Sequence, residues 1–169
     1  MKSRLKLGGV FYIWCYGPDG DLKWEDIASN IVVNEGLDYI LNILLKGGVQ
    51  SDPWYIGLTN GAPSPAAGDQ LTGTHAGWAE VTAYSEGLRQ EFVDDAISGQ
   101  SIDNSVNKAE FSINSDSTTI GGAFLTNDST TGANGMLLCV AAFDGGNKTA
   151  DDGDVLAVQY IFSAADDGV

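Results

Sequence analysis

Leu7 to Tyr16 form a run that is apolar on both of its alternating faces, with Val10, Tyr12, Trp14 and Tyr16 on one side and Phe11, Ile13 and Cys15 on the other. A strand facing water on one side would alternate with polar residues, so this run demands cover on both sides, from its own domain or from another subunit. Gly17-Pro18-Asp19-Gly20 stops it, proline setting φ and glycine accepting a positive φ in a tight turn. The chain then returns through Asp21 to Glu25, so residues 7 to about 27 read as a β-hairpin. No run approaches the roughly 20 apolar residues that a membrane helix needs.

One segment has helical periodicity. Leu37, Ile40, Leu41 and Leu44 fall at i, i+3, i+4 and i+7, which predicts an amphipathic helix over about 35–46. Asn34 is the expected N-cap, Glu35 and Asp38 put negative charge in the first turn, and Lys46 precedes the stop at Gly47-Gly48. A helix of about 12 residues is marginal alone, so its apolar stripe should lie against a sheet.

The rest of the chain is punctuated by turns. Trp54 to Thr59 reads as a core strand, and Ala62 to Asp69, with Pro63 and Pro65, as an extended surface loop. Trp78 to Tyr84 and Leu88 to Val93 are short-strand candidates, and Ala109, Phe111 and Ile113 share the buried face of a half-exposed strand. Ile120 to Leu125, Met136 to Phe143 and Val155 to Phe162 continue the series, Leu156, Val158, Tyr160 and Phe162 facing inward in the last. Strands at this spacing, separated by Gly/Asn/Asp turns, predict a mainly β domain: an antiparallel β-sandwich or jelly-roll-like barrel with one amphipathic α-helix. The 169 residues fit one domain, and no internal repeat or linker divides them.

Charge narrows the partners. Acidic residues number 23 against eight basic ones, a formal net charge of −15. Nucleic-acid binding needs a basic face to neutralise phosphates, and an anionic membrane surface would repel this chain. Lys2, Arg4 and Lys6 concentrate three of the basic residues in the first six positions, a basic N-terminal arm suited to latching onto an acidic neighbour, including another copy of the chain. The start resembles a signal peptide, but Gly17-Pro18 closes the apolar run with no small-x-small cleavage site, so the expectation is a cytosolically made chain with an intact N-terminus.

Catalytic chemistry finds little footing. His75 is the single histidine, in a Gly/Thr/Ala-rich loop without a GxSxG elbow or an orienting partner. Ser105-Val106-Asn107-Lys108 matches S-x-x-K without its companion motifs. Asp151-Asp152-Gly153-Asp154 and Asp19-Gly20-Asp21 carry oxygen ligands that suit Ca²⁺, but lack EF-hand spacing; aspartates capping turn amides are the expected reading. Cys15 and Cys139 are expected as buried thiols, with a disulfide as the alternative. No cofactor, metal site or enzymatic activity is expected. Among the tryptophans, Trp14 and Trp54 read as core, while Trp24 and Trp78 are the exposed candidates for stacking on a sugar ring.

Several segments together resemble small structural proteins of tailed bacteriophages. They are Asp19 to Glu25, Asn30 to Asp38, Trp54 to Pro63, Ala76 to Glu80, Thr119 to Leu125 and Gly153 to Tyr160, so the likeness spans most of the chain. The resemblance implies a virion component that decorates or cements the capsid by binding across major capsid protein subunits. Assembly would occur in the host cytoplasm, with the protein on the capsid exterior as a homo-oligomer, a trimer being favoured. The matched segments are strand, turn and helix-cap signatures and carry no active site. The expected contact residues are Lys2, Arg4, Lys6, Val10, Tyr12, Trp14, Asn60, Pro63 and Pro65. A tail, baseplate or fibre-associated protein and a carbohydrate-binding module are the alternatives.

Overall fold

The turn-punctuated runs become two antiparallel sheets packed face to face in the computed structural model, which describes residues 4–73 and 77–166. The strands are β1 (Leu5–Tyr16), β2 (Leu22–Ser29), β3 (Ile31–Val32), β4 (Tyr55–Thr59), β5 (Gln90–Glu91) and β6 (Ser101–Asp103). They continue with β7 (Ala109–Ser112), β8 (Thr118–Ile120), β9 (Gly122–Thr126), β10 (Leu137–Ala142), β11 (Lys148–Ala150) and β12 (Val155–Asp166). The helix α1 spans Asn34–Lys46, after β3. The first sheet runs β2-β1-β12-β6, with β7 also paired to β12, and the second runs β3-β10-β9-β4-β5. A separate ribbon joins β11 to β8. The fold is mainly β and sandwich-like, with antiparallel sheets; among the described residues there is one helix and no closed barrel.

Alternation explains the core. Phe11, Ile13 and Cys15 of β1 and Leu156, Val158 and Tyr160 of β12 point inward, onto Ile56, Leu58, Ala123, Leu125, Cys139 and Ala141 of the second sheet. Burying one such large side chain contributes about 1.5–3 kcal/mol. Both cysteines are buried free thiols, one in each sheet. Cys139 Sγ shares a hydrogen bond with the Tyr160 hydroxyl at 3.2 Å.

Ile120 to Leu125, expected as one strand, divides at Gly121 into β8 and β9, which belong to different sheets. A Cβ at Gly121 would collide with the backbone of Gly61 and Ala62, so only glycine lets the loop cross there. The segments Trp78–Tyr84 and Leu88–Val93 yield only isolated bridges at Glu80 and Tyr84 and the short β5. They are nevertheless tightly held, with Trp78, Val81, Tyr84, Arg89 and Phe92 buried.

The helix forms where its periodicity places it but turns a different side to the sheet. Gly36 abuts the backbone of Leu138, too close for any Cβ, and Ile40 packs onto the core. The docked line is therefore Gly36, Ile40 and the half-buried Ile43, rotated by one residue, about 100°, from the expected stripe. Asn34 makes no side-chain cap; Val33 occupies the cap position, and the Asn34 N–H donates to Ala67 O. Gly47 closes the helix in the left-handed region at φ 69°.

Candidate interaction surface

The outward face of the first sheet is built by register. Val10 sits between Ile161 and Ser29, Tyr12 between Gln159 and Ile27, and Trp14 between Ala157 and Glu25, so all share one face. The described residues do not supply cover for this face, which leaves the other expected source, another subunit. Val10, Tyr12, Trp14 and Tyr16 remain half-exposed while Phe11, Ile13 and Cys15 on the other side are sealed.

Tyr12 and Trp14 lie nearly parallel, with ring centroids 6.2 Å apart and planes 15° from each other. The Lys108 ammonium stands 5.5 Å from the Trp14 ring centroid, a cation–π contact. Beside the rings lies a concavity of about 510 Å³, lined also by Glu25, Asp26, Ile27, Gly145 and Lys148. Asp26 and Lys148 pair there at 3.0 Å. Burial pushes the Asp26 carboxyl upward, but Lys148 and the N–H groups of Ile27 and Gly145 outweigh it, and the acid is held below its ordinary value.

A second apolar line is open on α1. Because the helix docks through Gly36 and Ile40, its leucines turn outward: Leu41 is 54% exposed, Leu44 67% and Leu45 78%. Leu37, one turn before Leu41, extends the same exposed side. On a soluble surface, clustered leucines on one helical side mark a docking face.

The expected contact residues are divided between the two sides of the sandwich. Val10, Tyr12 and Trp14 come together as described. Lys6 is exposed but lies within β1, paired with Ala165, so the last two residues of the basic arm are strand; Arg4 precedes it, exposed. Lys2 and His75 lie outside the described residues. Asn60, Pro63 and Pro65 belong to a loop over the outer face of the second sheet, and the loop is less of a surface feature than its composition predicts. Pro63 and Asp69 are buried, Asn60 Oδ1 accepts the Ala79 N–H at 2.9 Å, and Asp69 accepts the Ala66 N–H at 3.0 Å.

The tryptophan assignment is reversed in one pair. Trp78 is only 5% exposed, packed with Leu71, Val33, Leu137, Val140 and Phe124 over the second sheet, whereas Trp14 is half-open on the first. Trp24 is half-buried, packs on Phe143 and donates its indole N–H to Thr149 O at 2.8 Å. Trp54, expected in the core, is half-buried at its edge. Flanking composition cannot separate these cases, because the cover over Trp78 comes from residues distant in sequence.

The aspartate clusters serve the turns. Asp154, buried, accepts from Lys23 Nζ at 2.6 Å and from the Asp151 N–H at 2.8 Å. Asp151 takes Lys23 at 3.1 Å and the Ser117 N–H at 3.1 Å. Hydrogen bonds to Asp154 and then Asp151 raise the Lys23 ammonium above its usual value. Among the described residues no cluster of three or more His, Cys, Asp or Glu is placed to hold a metal ion. Burial, with Asp154 beside it, pushes the Cys15 thiol up to about 12, and burial pushes Cys139 up to about 11, so neither is a thiolate at neutral pH.

One constellation escaped the sequence altogether. Arg89 is fully buried and satisfies every donor of its guanidinium. Nε and one terminal nitrogen grip Glu80 at 2.8 and 3.0 Å, and the remaining bonds reach the carbonyls of Asp128, Asn134 and Gly132 at 2.9, 2.8 and 2.7 Å. Its only sequence signal is a lone arginine in an acidic segment. The arrangement ties loops together and presents no free group to a substrate. What the open surfaces can do is bury apolar area and stack rings against a partner. Comparisons with family models, with curated proteins and with solved structures find no match to this chain.

Proposed function

We propose that the protein is a virion structural component that decorates the capsid, binding across neighbouring major capsid protein subunits as a homo-oligomer, a trimer. The observation that carries this reading is the exposed leucine line of α1, Leu37, Leu41, Leu44 and Leu45, on a helix already anchored by Gly36 and Ile40. A helix anchored on one side with leucines on another gains free energy from a second surface, about 25 cal/mol for each Å² of apolar area covered. The half-open aromatic face of β1 offers a second contact, so one molecule can bridge two neighbours. The resemblance to small phage structural proteins supplies the identity of those neighbours.

The test is titration of the purified protein onto undecorated heads. Leu41→Glu/Leu44→Glu should abolish saturable decoration while leaving the circular dichroism unchanged; full occupancy by this variant removes the helix from the interface. Electron microscopy of labelled virions decides between head and tail, the tail, baseplate or fibre position being the rival within the virion. A carbohydrate-binding module is favoured by a different observation, the near-parallel Tyr12–Trp14 pair beside Glu25, Asp26 and Lys148. Glycan-array binding lost in Trp14→Ala, rather than in Trp24 or Trp78 variants, would establish that reading, and silence across the array would end it.

A further inference from the structure

A cavity of about 290 Å³ lies where α1, the 50–54 segment and the edge of the core meet. Tyr39, Trp54, Phe92, Tyr160 and Phe162 all line it. The rings brace one another: Tyr39 meets Trp54 edge-on at 5.4 Å, Phe92 meets Tyr160 edge-on at 5.9 Å, and Tyr160 and Phe162 lie 6.3 Å apart. Polar groups fix them further. Tyr39 Oη accepts the Ser51 N–H at 2.6 Å, and Tyr160 Oη accepts from Asn30 Nδ2 at 3.0 Å. Tyr160 is fully buried and stacked on Phe11 at 4.1 Å, and Phe92 is nearly sealed, so these two form the floor while the half-exposed Tyr39, Trp54 and Phe162 are the rings a guest can reach.

Its electrostatics have one sign. Asp52 and Asp94 line the cavity and are exposed, and neither pairs with a lysine or arginine among the described residues. Among the described residues no Lys, Arg or His lies on the lining. Ring faces carry negative potential and attract cations, most strongly where water is excluded. A divalent metal would need a shell of oxygen ligands, which ring faces do not supply. A neutral apolar guest would gain nothing from the two carboxylates. A primary ammonium would have to shed a tightly held water shell, whereas an alkylated one carries its charge behind methyl groups that pack on rings.

We propose that this cavity binds a quaternary ammonium group of about the size of choline, with Tyr39, Trp54 and Phe162 as its aromatic wall and Asp52 and Asp94 as its counter-charges. The volume sits near the lower end of the roughly 300–1,000 Å³ of small-molecule sites, which suits a head group rather than an extended ligand. The site is separate from the capsid reading and stands or falls without it.

The experiment titrates the full chain with choline, with tetramethylammonium and with 3,3-dimethylbutan-1-ol, the neutral isostere of choline, following the indole signals by NMR. Saturable shifts of the Trp54 signal are expected with both cations, and affinity for choline should exceed that for the isostere by about tenfold or more. Trp54→Ala should remove binding. Asp52→Asn and Asp94→Asn, at exposed positions where folding is not at stake, should each weaken choline binding about threefold without affecting the isostere. Sedimentation with phosphatidylcholine vesicles assigns the carrier: co-sedimentation points to a lipid headgroup, and binding of choline without it to a soluble cation. Absence of saturation by either cation, equal affinity for the isostere, or choline binding unaffected in both aspartate variants overturns the proposal.

Discussion

The two sheets carry apolar residues on their outer faces, yet they treat those faces differently. On the second sheet, Phe124, Leu137 and Val140 point away from the sandwich and are covered by the chain itself: Trp78, Leu71 and Val33 close over them, and Arg89 stands 5.3 Å from the Phe124 ring centroid. On the first sheet, Val10, Tyr12, Trp14 and Tyr16 point outward and stay half-exposed, and no segment among the described residues closes over them. Leu71 and Trp78, in the long connection from β4 to β5, supply cover on the second sheet, while Val81 and Tyr84 further along it enter the core between the sheets, Tyr84 pairing with Ile113. An outward aromatic residue therefore does not by itself reveal whether it belongs to a core or to an interface; what decides is whether the chain has a segment that reaches it.

Breaking the covered side should be costly. Arg89→Ala leaves Glu80 buried without its partner and strands the carbonyls of Asp128, Gly132 and Asn134, so a loss of about 3–5 kcal/mol is expected in urea unfolding. Trp78→Ala should cost a similar 3–5 kcal/mol, by removing a large buried ring from the second core. A loss below about 1 kcal/mol in both would mean that the loop is not an integral layer. Gly121→Ala tests the crossing of that loop over β8 and β9: overpacking against the Gly61–Ala62 backbone should destabilise by about 1–3 kcal/mol.

The open side should respond weakly in stability and strongly in binding. Trp14→Ala, mirror to Trp78→Ala, should cost less than about 1 kcal/mol, because a half-exposed ring gives up less burial and one cation–π contact. A loss as large as that of Trp78→Ala would mean that the first face is itself a core.

Smaller effects follow from titration. The Asp26 carboxyl, on edge strand β2 and facing the opposite way from Glu25 and Ile27, is held below its ordinary 3.8 by Lys148 and two backbone N–H groups, against the opposing pull of burial. Its contribution to stability is present above pH 3.8 and is lost as pH falls through the lower folded value. Lys148→Met should shrink that contribution and move the acid-unfolding midpoint upward, read by fluorescence. The thiols behave in the opposite sense: folded values near 12 for Cys15 and 11 for Cys139 exceed the ordinary 9.0, so their contribution is full below pH 9 and fades as pH rises through those values. Native protein at pH 8 should accordingly resist thiol reagents until it is unfolded.

Much of this architecture was legible in local chemistry. The β1–β2 hairpin, the helix, the strands flanked by Gly/Asn/Asp turns and the buried cysteines follow from periodicity and turn residues. The close-packed glycines follow in kind, since Gly57 faces the Phe124 ring and Gly121 a loop backbone. Of the candidate surface, the shared face of Val10, Tyr12 and Trp14 was readable from alternation, whereas the exposed leucines of α1 were assigned to the sheet and the Pro63 loop to solvent. Periodicity reports that a helix has an apolar side; it does not report which neighbour that side meets, and a glycine at position 36 allowed the approach of Leu138 one residue away from the stripe.

Local chemistry suffices for the class of the molecule: a mainly β, acidic chain with one amphipathic helix, whose first long strand is apolar on both faces. Alternation, turn stereochemistry and capping are local, and local rules carry that far. Long-range packing sets which outer face is closed, which tryptophan is buried, where the leucines of α1 point and that five rings and two aspartates line one cavity. Those outcomes depend on contacts between residues dozens of positions apart, such as Arg89 with Gly132 or Trp78 with Phe124, and no local pattern encodes the path that brings them together.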